Sequence, residues 1–211
     1  YGVHKIPTYK DVKNVDIIVF DIQDIGARYY TYISTMTNIM NAVAEFSIPL
    51  VVLDRPNPLG GVKVSGPVLD IDYSSFVGMH PIPIRHGLTV GELAIMINDN
   101  YWHHKSNNVD LTIVKCYNWN RSKLFSDNAN DWTPPSPNIP NFETALAYIG
   151  TCLFEGTNIS EGRGTDTPFL IFGAPWIVKD DLPKLISKLS GEGFVLEEKL
   201  FTPVSIPGKS K

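Results

Sequence analysis

The chain of 211 residues is 43% hydrophobic, 19% charged and 11% aromatic, a composition that belongs to one globular domain or two small ones and excludes a disordered tail. Its 18 basic and 22 acidic residues leave a formal net charge of −4, scattered without blocks, so nothing draws a polyanion and nucleic acid is not an expected partner. No apolar run approaches the ~20 residues needed to cross a bilayer, and the opening Tyr1-Gly2-Val3-His4-Lys5 lacks the apolar core of a signal peptide. With no initiator Met, and with a Ser205–Lys211 tail directly after an extended run, the chain reads as a piece of a longer protein. Two cysteines, Cys116 and Cys152, form neither a disulfide framework nor a ligand cluster and read as buried free thiols.

In chain order, Val15–Asp21 (VDIIVFD) is a short β-branched run expected as a strand buried on both faces. The period then changes: Tyr32, Met36, Ile39, Met40, Val43 and Ala44 recur at three- and four-residue steps, a helix ending near Phe46. Pro49–Asp54 is a second buried strand, and strand, helix, strand with short connections predicts parallel pairing. From Arg55 to about Ile84, Pro, Gly and Asp dominate and a folded loop region is expected. Thr89-Val90-Gly91-Glu92 fits a capping box for a helix reaching Trp102, and Val109–Tyr117 is the next strand. The prolines of Thr133–Pro140 stiffen a rim. Asn141 caps a helix carrying Ala145, Leu146, Ile149 and Leu153, and a strand near Phe169–Phe172, a helix over Asp180–Leu189 and a strand around Phe194–Leu196 complete the alternation. The fold class is therefore α/β.

Open α/β sheets collect ligands outside the carboxyl ends of their strands, and there this sequence is most polar. Asp21-Ile22-Gln23-Asp24-Ile25-Gly26-Ala27-Arg28-Tyr29-Tyr30 follows the first strand, and Asp54-Arg55-Pro56-Asn57-Pro58-Leu59-Gly60-Gly61 the second. A bland reading has Asp21 and Asp54 bonding loop amides with Arg28 or Arg55 as structural glue; the alternative is a crevice suited to a polar, ring-shaped ligand. A third cluster, Glu155–Thr165, adds Glu161 and Arg163 among three glycines, either a tight loop with an internal ion pair or a ligand loop; it lacks the Lys-Ser/Thr pair of a phosphate cradle. His80 and His86 do not have a metal-ligand spacing, and His103-His104 closes a helix, so no metal is expected. Arg85-His86-Gly87 matches the tripeptide of histidine phosphatases, but without the strand that should precede it.

The runs FDIQDIGARYYTYISTM (Phe20–Met36), VLDRPNPLGG (Val52–Gly61), SFVGMHPIPIRHGLTVGELA (Ser75–Ala94), PPSPNIPNFETALAYIGTCLFEGTNISEGRGT (Pro134–Thr165) and PFLIFGAPW (Pro168–Trp176) closely resemble the NamZ-type exo-β-N-acetylmuramidases, formerly a bacterial domain of unknown function. The resemblance covers nearly the whole chain in order. It implies a two-part α/β protein, a Rossmann-like parallel-sheet region followed by a smaller α/β region with a mixed sheet, with residues 1–75 closing the Rossmann-like N-terminal region and 76–211 forming the second, incomplete region, the active cleft between them. It further implies release of N-acetylmuramic acid from non-reducing ends of peptidoglycan fragments in cell-wall turnover or recycling, no cofactor, and a secreted, periplasmic or lipoprotein-anchored location. Family members carry a Gly-Pro-Glu-His-Gly motif ahead of the segment matching Tyr1–Lys10, and a further stretch beyond Lys211.

Glycoside hydrolysis usually needs a carboxylic acid and a second carboxylate, and an N-acetyl sugar also permits attack by its own acetamido oxygen; the sequence leaves retaining, inverting and substrate-assisted routes open. The catalytic candidates are Asp24 and Glu161, joined by a further Glu upstream. Substrate-binding candidates are Asp21, Gln23, Arg28, Tyr30, Arg55, Asn57, His80, His86, Asn158 and Arg163, with Arg28, Arg55 or Arg163 suited to the lactyl carboxylate of muramic acid. A non-catalytic binder of peptidoglycan fragments and a phosphomonoesterase using His86 are the alternatives. The strand-end loops and Glu155–Thr165 are expected to line one cleft.

Overall fold

The computed structural model describes residues 5–103, 108–127, 131–191 and 193–204; His104 and the Tyr1–His4 and Ser205–Lys211 ends lie outside them. The chain divides into two compact units, one running to Pro135 and the other from Ser136. Residues 76–135, placed in the second region by the sequence reading, lie in the first unit. The reason is a single apolar cluster that joins Phe20, Met36, Met40, Leu50 and Val52 to Ile82, Leu93, Ile97 and Val109.

The first unit opens with one helical turn, α1 (Tyr9–Val12), closed by a capping box between Thr8 and Asp11. Strand β1 (Ile18–Phe20) leads through a polar loop into α2 (Tyr32–Phe46), which ends on Ser47 in the left-handed region. Strand β2 (Leu50–Leu53) follows. β1 and β2 pair in parallel with Val19 opposite Val51, as the strand–helix–strand pattern predicts. The Pro- and Gly-rich stretch expected as loop contains a bulged antiparallel ribbon, β3 (Ser65–Val68) with β4 (Pro83–Arg85). β3 is exposed throughout, so no alternating apolar pattern betrays it.

Helix α3 (Val90–Asp99) starts on the expected capping box, the Thr89 hydroxyl accepting from the Glu92 amide and the Glu92 carboxylate from the Thr89 amide. Strand β5 (Leu111–Val114) then pairs parallel to β2, giving sheet order β1-β2-β5. α2 and α3 pack on one face of this sheet, against Phe20, Leu50 and Val52. The other face is not covered among the described residues: Val19 is 53% and Val114 50% exposed. The expectation of strands buried on both faces is thus corrected to burial on one face.

In the second unit α4 (Phe142–Thr151) begins at Asn141, whose Oδ1 accepts from the Thr144 amide at 2.8 Å, and runs into a 3₁₀ turn over Cys152–Gly156. α5 (Leu182–Leu189) has Pro183 in its first turn, where a missing amide costs nothing. The strands expected at 169–172 and 194–196 do not form; only isolated bridges, Ser160 with Gly173 and Gly191 with Phe194, occur there. Phe169 takes φ +63°, which breaks the extended run and lays its ring edge-on against Tyr148 at 4.7 Å. Val195 is 83% exposed and so has no apolar surface to build a strand on.

Candidate active site

Three loops meet at the carboxyl end of the parallel sheet: that after β1, that after β2, and His86–Thr89 between β4 and α3. Asp24 is buried in the first of them. Its Oδ2 accepts from the Gly26 amide at 2.7 Å and lies 3.3 Å from His86 Nε2, a contact of ion-pair range rather than an aligned hydrogen bond. The Leu88 amide donates to His86 Nδ1 at 3.1 Å, which assigns the ring proton to Nε2, facing the carboxylate. Asp24 Oδ1 is buried and has no hydrogen-bond partner among the described residues. Leaving such an oxygen unpaired costs roughly 1–3 kcal/mol, so its retention calls for an explanation.

Asn57 welds the three loops together. Its Nδ2 donates to the Leu88 carbonyl and its Oδ1 accepts from the Leu59 amide, both at 2.9 Å, and its amide group fills the space over Gly26 where a Cβ would stand. Gln23 Nε2 ties the Pro56 carbonyl at 2.9 Å. At the rim, Arg55 and Asp21 form a half-exposed ion pair, Nη2 to Oδ1 at 2.6 Å. Asp54 serves as structural support: its Oδ1 accepts from the Gly91 amide and its Oδ2 from the Thr89 hydroxyl, so it caps α3 from outside the helix.

Other candidates point elsewhere. Arg28 Nη1 donates to the carbonyls of Pro67 and Ile82 at 2.7 and 2.6 Å, and burial pulls its pKa down, opposed in part by Tyr29. His80 is in the core, stacked on Trp102 at 5.3 Å with Nε2 against the Thr37 hydroxyl at 2.7 Å. Tyr30 is buried edge-on against Tyr32. His86 is enclosed with Nδ1 occupied, which disfavours it as a phosphoryl acceptor.

In the second unit Glu161 is 2% exposed, and Arg163 lies 3.3 Å from it and 2.5 Å from Glu155, over the Phe169 ring. Burial works against the charge on Arg163, but the hydrogen bond and charge of Glu155, aided by Glu161, outweigh it and hold the pKa above its ordinary value. Its charge is matched within the chain, which leaves little for a ligand. Asn158 is exposed on the same loop. Cys152, half-buried rather than fully buried, hydrogen-bonds Glu155 and has its thiol pushed up to about 12 by burial. No group of three or more His, Cys, Asp or Glu able to hold a metal occurs among the described residues, nor a helix long and apolar enough to cross a membrane.

Sequence reasoning missed Arg85. It is buried beside Ala27, donates through Nη2 to the Leu59 carbonyl, and has an Nε without a partner among the described residues. Its signal in the sequence is its place in Arg85-His86-Gly87, next to the histidine.

Fold and site together define an α/β protein whose polar strand-end loops enclose a carboxylate–imidazole pair, the position at which this architecture binds ligands. The chain belongs to the exo-β-N-acetylmuramidase NamZ family: residues 1–143 match its N-terminal and 146–211 its C-terminal domain. It is 48% identical over 203 residues to the peptidoglycan β-N-acetylmuramidase NamZ of Bacillus subtilis (strain 168), covering 96% of this chain and 48% of that protein. Two crystal structures of DUF1343 family proteins from Bacteroides fragilis are also similar. One, 40% identical, has a TM-score of 0.80 over 90% of this chain and 49% of its own; the other, 41% identical, has 0.77 over 96% and 51%. The chain thus spans about half the length of each of these relatives.

Proposed function

We propose that the protein carrying this chain is a glycoside hydrolase that releases N-acetylmuramic acid from non-reducing ends of peptidoglycan fragments, serving cell-wall turnover. The observation that carries this reading is Asp24. It is a buried carboxylate at a strand end, one oxygen satisfied by Gly26 and faced by His86, the other without a partner among the described residues, and it sits in a chain 48% identical to a peptidoglycan β-N-acetylmuramidase.

Asp24 is the carboxylate proposed for the reaction, with His86 and Asn57 positioning it and Gln23, Asp21 and Arg55 as ligand contacts at the rim. In the second unit Glu161, held by Arg163, is proposed as a further functional carboxylate. Muramic acid saccharides or muropeptides are the proposed substrates.

The test is release of N-acetylmuramic acid from a chromogenic β-muramide by the full-length protein and by Asp24→Asn. Asn is isosteric and preserves an acceptor for the Gly26 amide. The melting temperature should therefore hold within a few degrees while kcat falls by about 10² to 10⁴, the range for loss of a positioned acid or base. A variant that keeps more than a tenth of the wild-type rate removes Asp24 from the chemistry. A wild type that binds the muramide without cleaving it indicates a binding protein.

A further inference from the structure

Muramic acid differs from glucosamine by a lactyl ether that bears a carboxylate, and a site selective for it needs a cation with free donors. The arginines that sequence reasoning put forward are already engaged. Arg55 is paired with Asp21 and Arg163 with Glu155 and Glu161, while Arg28 Nη1 is held by two backbone carbonyls. Arg121, in the same unit, is paired with Glu92.

Arg85 is the one arginine of this set that is buried, and the least engaged. It is 8% exposed and, like Arg28, makes no ion pair among the described residues; there, only one of its five N–H groups, on Nη2, has an acceptor, the Leu59 carbonyl. Its Nε, like that of Arg163, is buried without a partner among the described residues. Burial alone lowers its pKa, with no carboxylate to oppose it. A guanidinium withdrawn from water without a counter-charge is costly, and a fold that needed only packing there would be better served by an apolar side chain. Its position adds to the case: the Arg85 backbone bridges to Ala27 in the loop after β1, its guanidinium reaches Leu59 in the loop after β2, and the next residue, His86, faces Asp24.

We propose that Arg85 is the specificity-determining residue of this site, binding a carboxylate of the ligand, and on the muramidase reading the lactyl carboxylate of the terminal muramic acid. The positive charge set between the two strand-end loops, matched by no carboxylate among the described residues, is completed by the ligand.

The experiment compares N-acetylmuramic acid with its neutral lactyl amide, by calorimetric titration into full-length wild type, Arg85→Gln and Arg85→Lys, each checked for a cooperative melt. The wild type should bind the acid at least tenfold tighter than the amide. Arg85→Gln should bind both as weakly as the wild type binds the amide, and Arg85→Lys should keep part of the preference as a point charge. A wild type without preference for the acid, or an Arg85→Gln variant that keeps the wild-type preference, overturns the assignment. Should Arg85→Gln not fold, Arg85→Lys decides: an undiminished preference overturns it and a reduced one supports it. Cleavage of the chromogenic muramide is measured in parallel. Charge-dependent binding through Arg85 without any cleavage sinks the muramidase reading and leaves Arg85 in place, whereas cleavage by a wild type indifferent to the carboxylate sinks Arg85 alone.

Discussion

Replacing Gly26 by Ala tests the junction of the three loops in a single atom. Gly26 holds φ +84°, and a Cβ there would stand 2.4 Å from Asn57 Oδ1, 2.9 Å from its Nδ2 and 3.0 Å from its Cγ. The Asn57 amide cannot swing aside freely, because both of its ends are bonded, to the Leu88 carbonyl and from the Leu59 amide. The left-handed conformation costs an L-residue roughly 1–2 kcal/mol, and losing two such bonds about 1 kcal/mol each. Reduced freedom of the unfolded chain returns roughly 0.4–1 kcal/mol. The expected net loss is therefore about 3 kcal/mol, a large share of the roughly 5–15 kcal/mol that holds a typical protein folded. Gly150 supplies the control: it lies in α4 and a Cβ there meets nothing within 4 Å. Ala at that position should be neutral or stabilising by up to about 1 kcal/mol. Urea denaturation of the two full-length variants, followed by Trp fluorescence and by far-ultraviolet circular dichroism, measures both. If Gly26→Ala lies within 0.5 kcal/mol of wild type (about one hydrogen bond at the low end), or Gly150→Ala costs as much, the steric account of this junction is wrong.

Asp54→Ala removes the acceptor of the Gly91 amide and the Thr89 hydroxyl at the start of α3 and should cost about 2–3 kcal/mol; Asp54→Asn should cost less in the same denaturation assay. Cys152 should resist iodoacetamide near pH 8 in the folded protein and react readily once it is unfolded, because its thiol is pushed up to about 12; rapid native-state labelling would contradict its burial. The folded pKa lies above that of the unfolded thiol, near 8.5. The stabilisation this group contributes is thus complete below about pH 8.5 and is lost as pH rises toward 12. Cys152→Ala should accordingly flatten the alkaline limb of stability against pH, and an unchanged limb would contradict the shift.

What could be read directly from the residues was whatever short-range chemistry controls. The β-branched runs around Ile18 and Leu50, the three- and four-residue steps of α2, and the caps at Thr89 and Asn141 each involve neighbours within a few positions, and the structure reproduces them. The long motifs named the family, and the rule that α/β sheets bind ligands at their carboxyl ends singled out Asp24. Tertiary structure decided what those polar residues do. Asp24 meets His86 across 62 positions of sequence, Arg163 is paired with Glu155 and Glu161, His80 stacks in the core on Trp102, and Phe169 turns left-handed where its apolar run predicted a strand. Hydropathy is a property of one residue and repeats along the chain with the period of its backbone, so it can be read in a line. A hydrogen-bond partner or a counter-charge is a property of two residues, and which two meet is settled only when the loops close over the sheet.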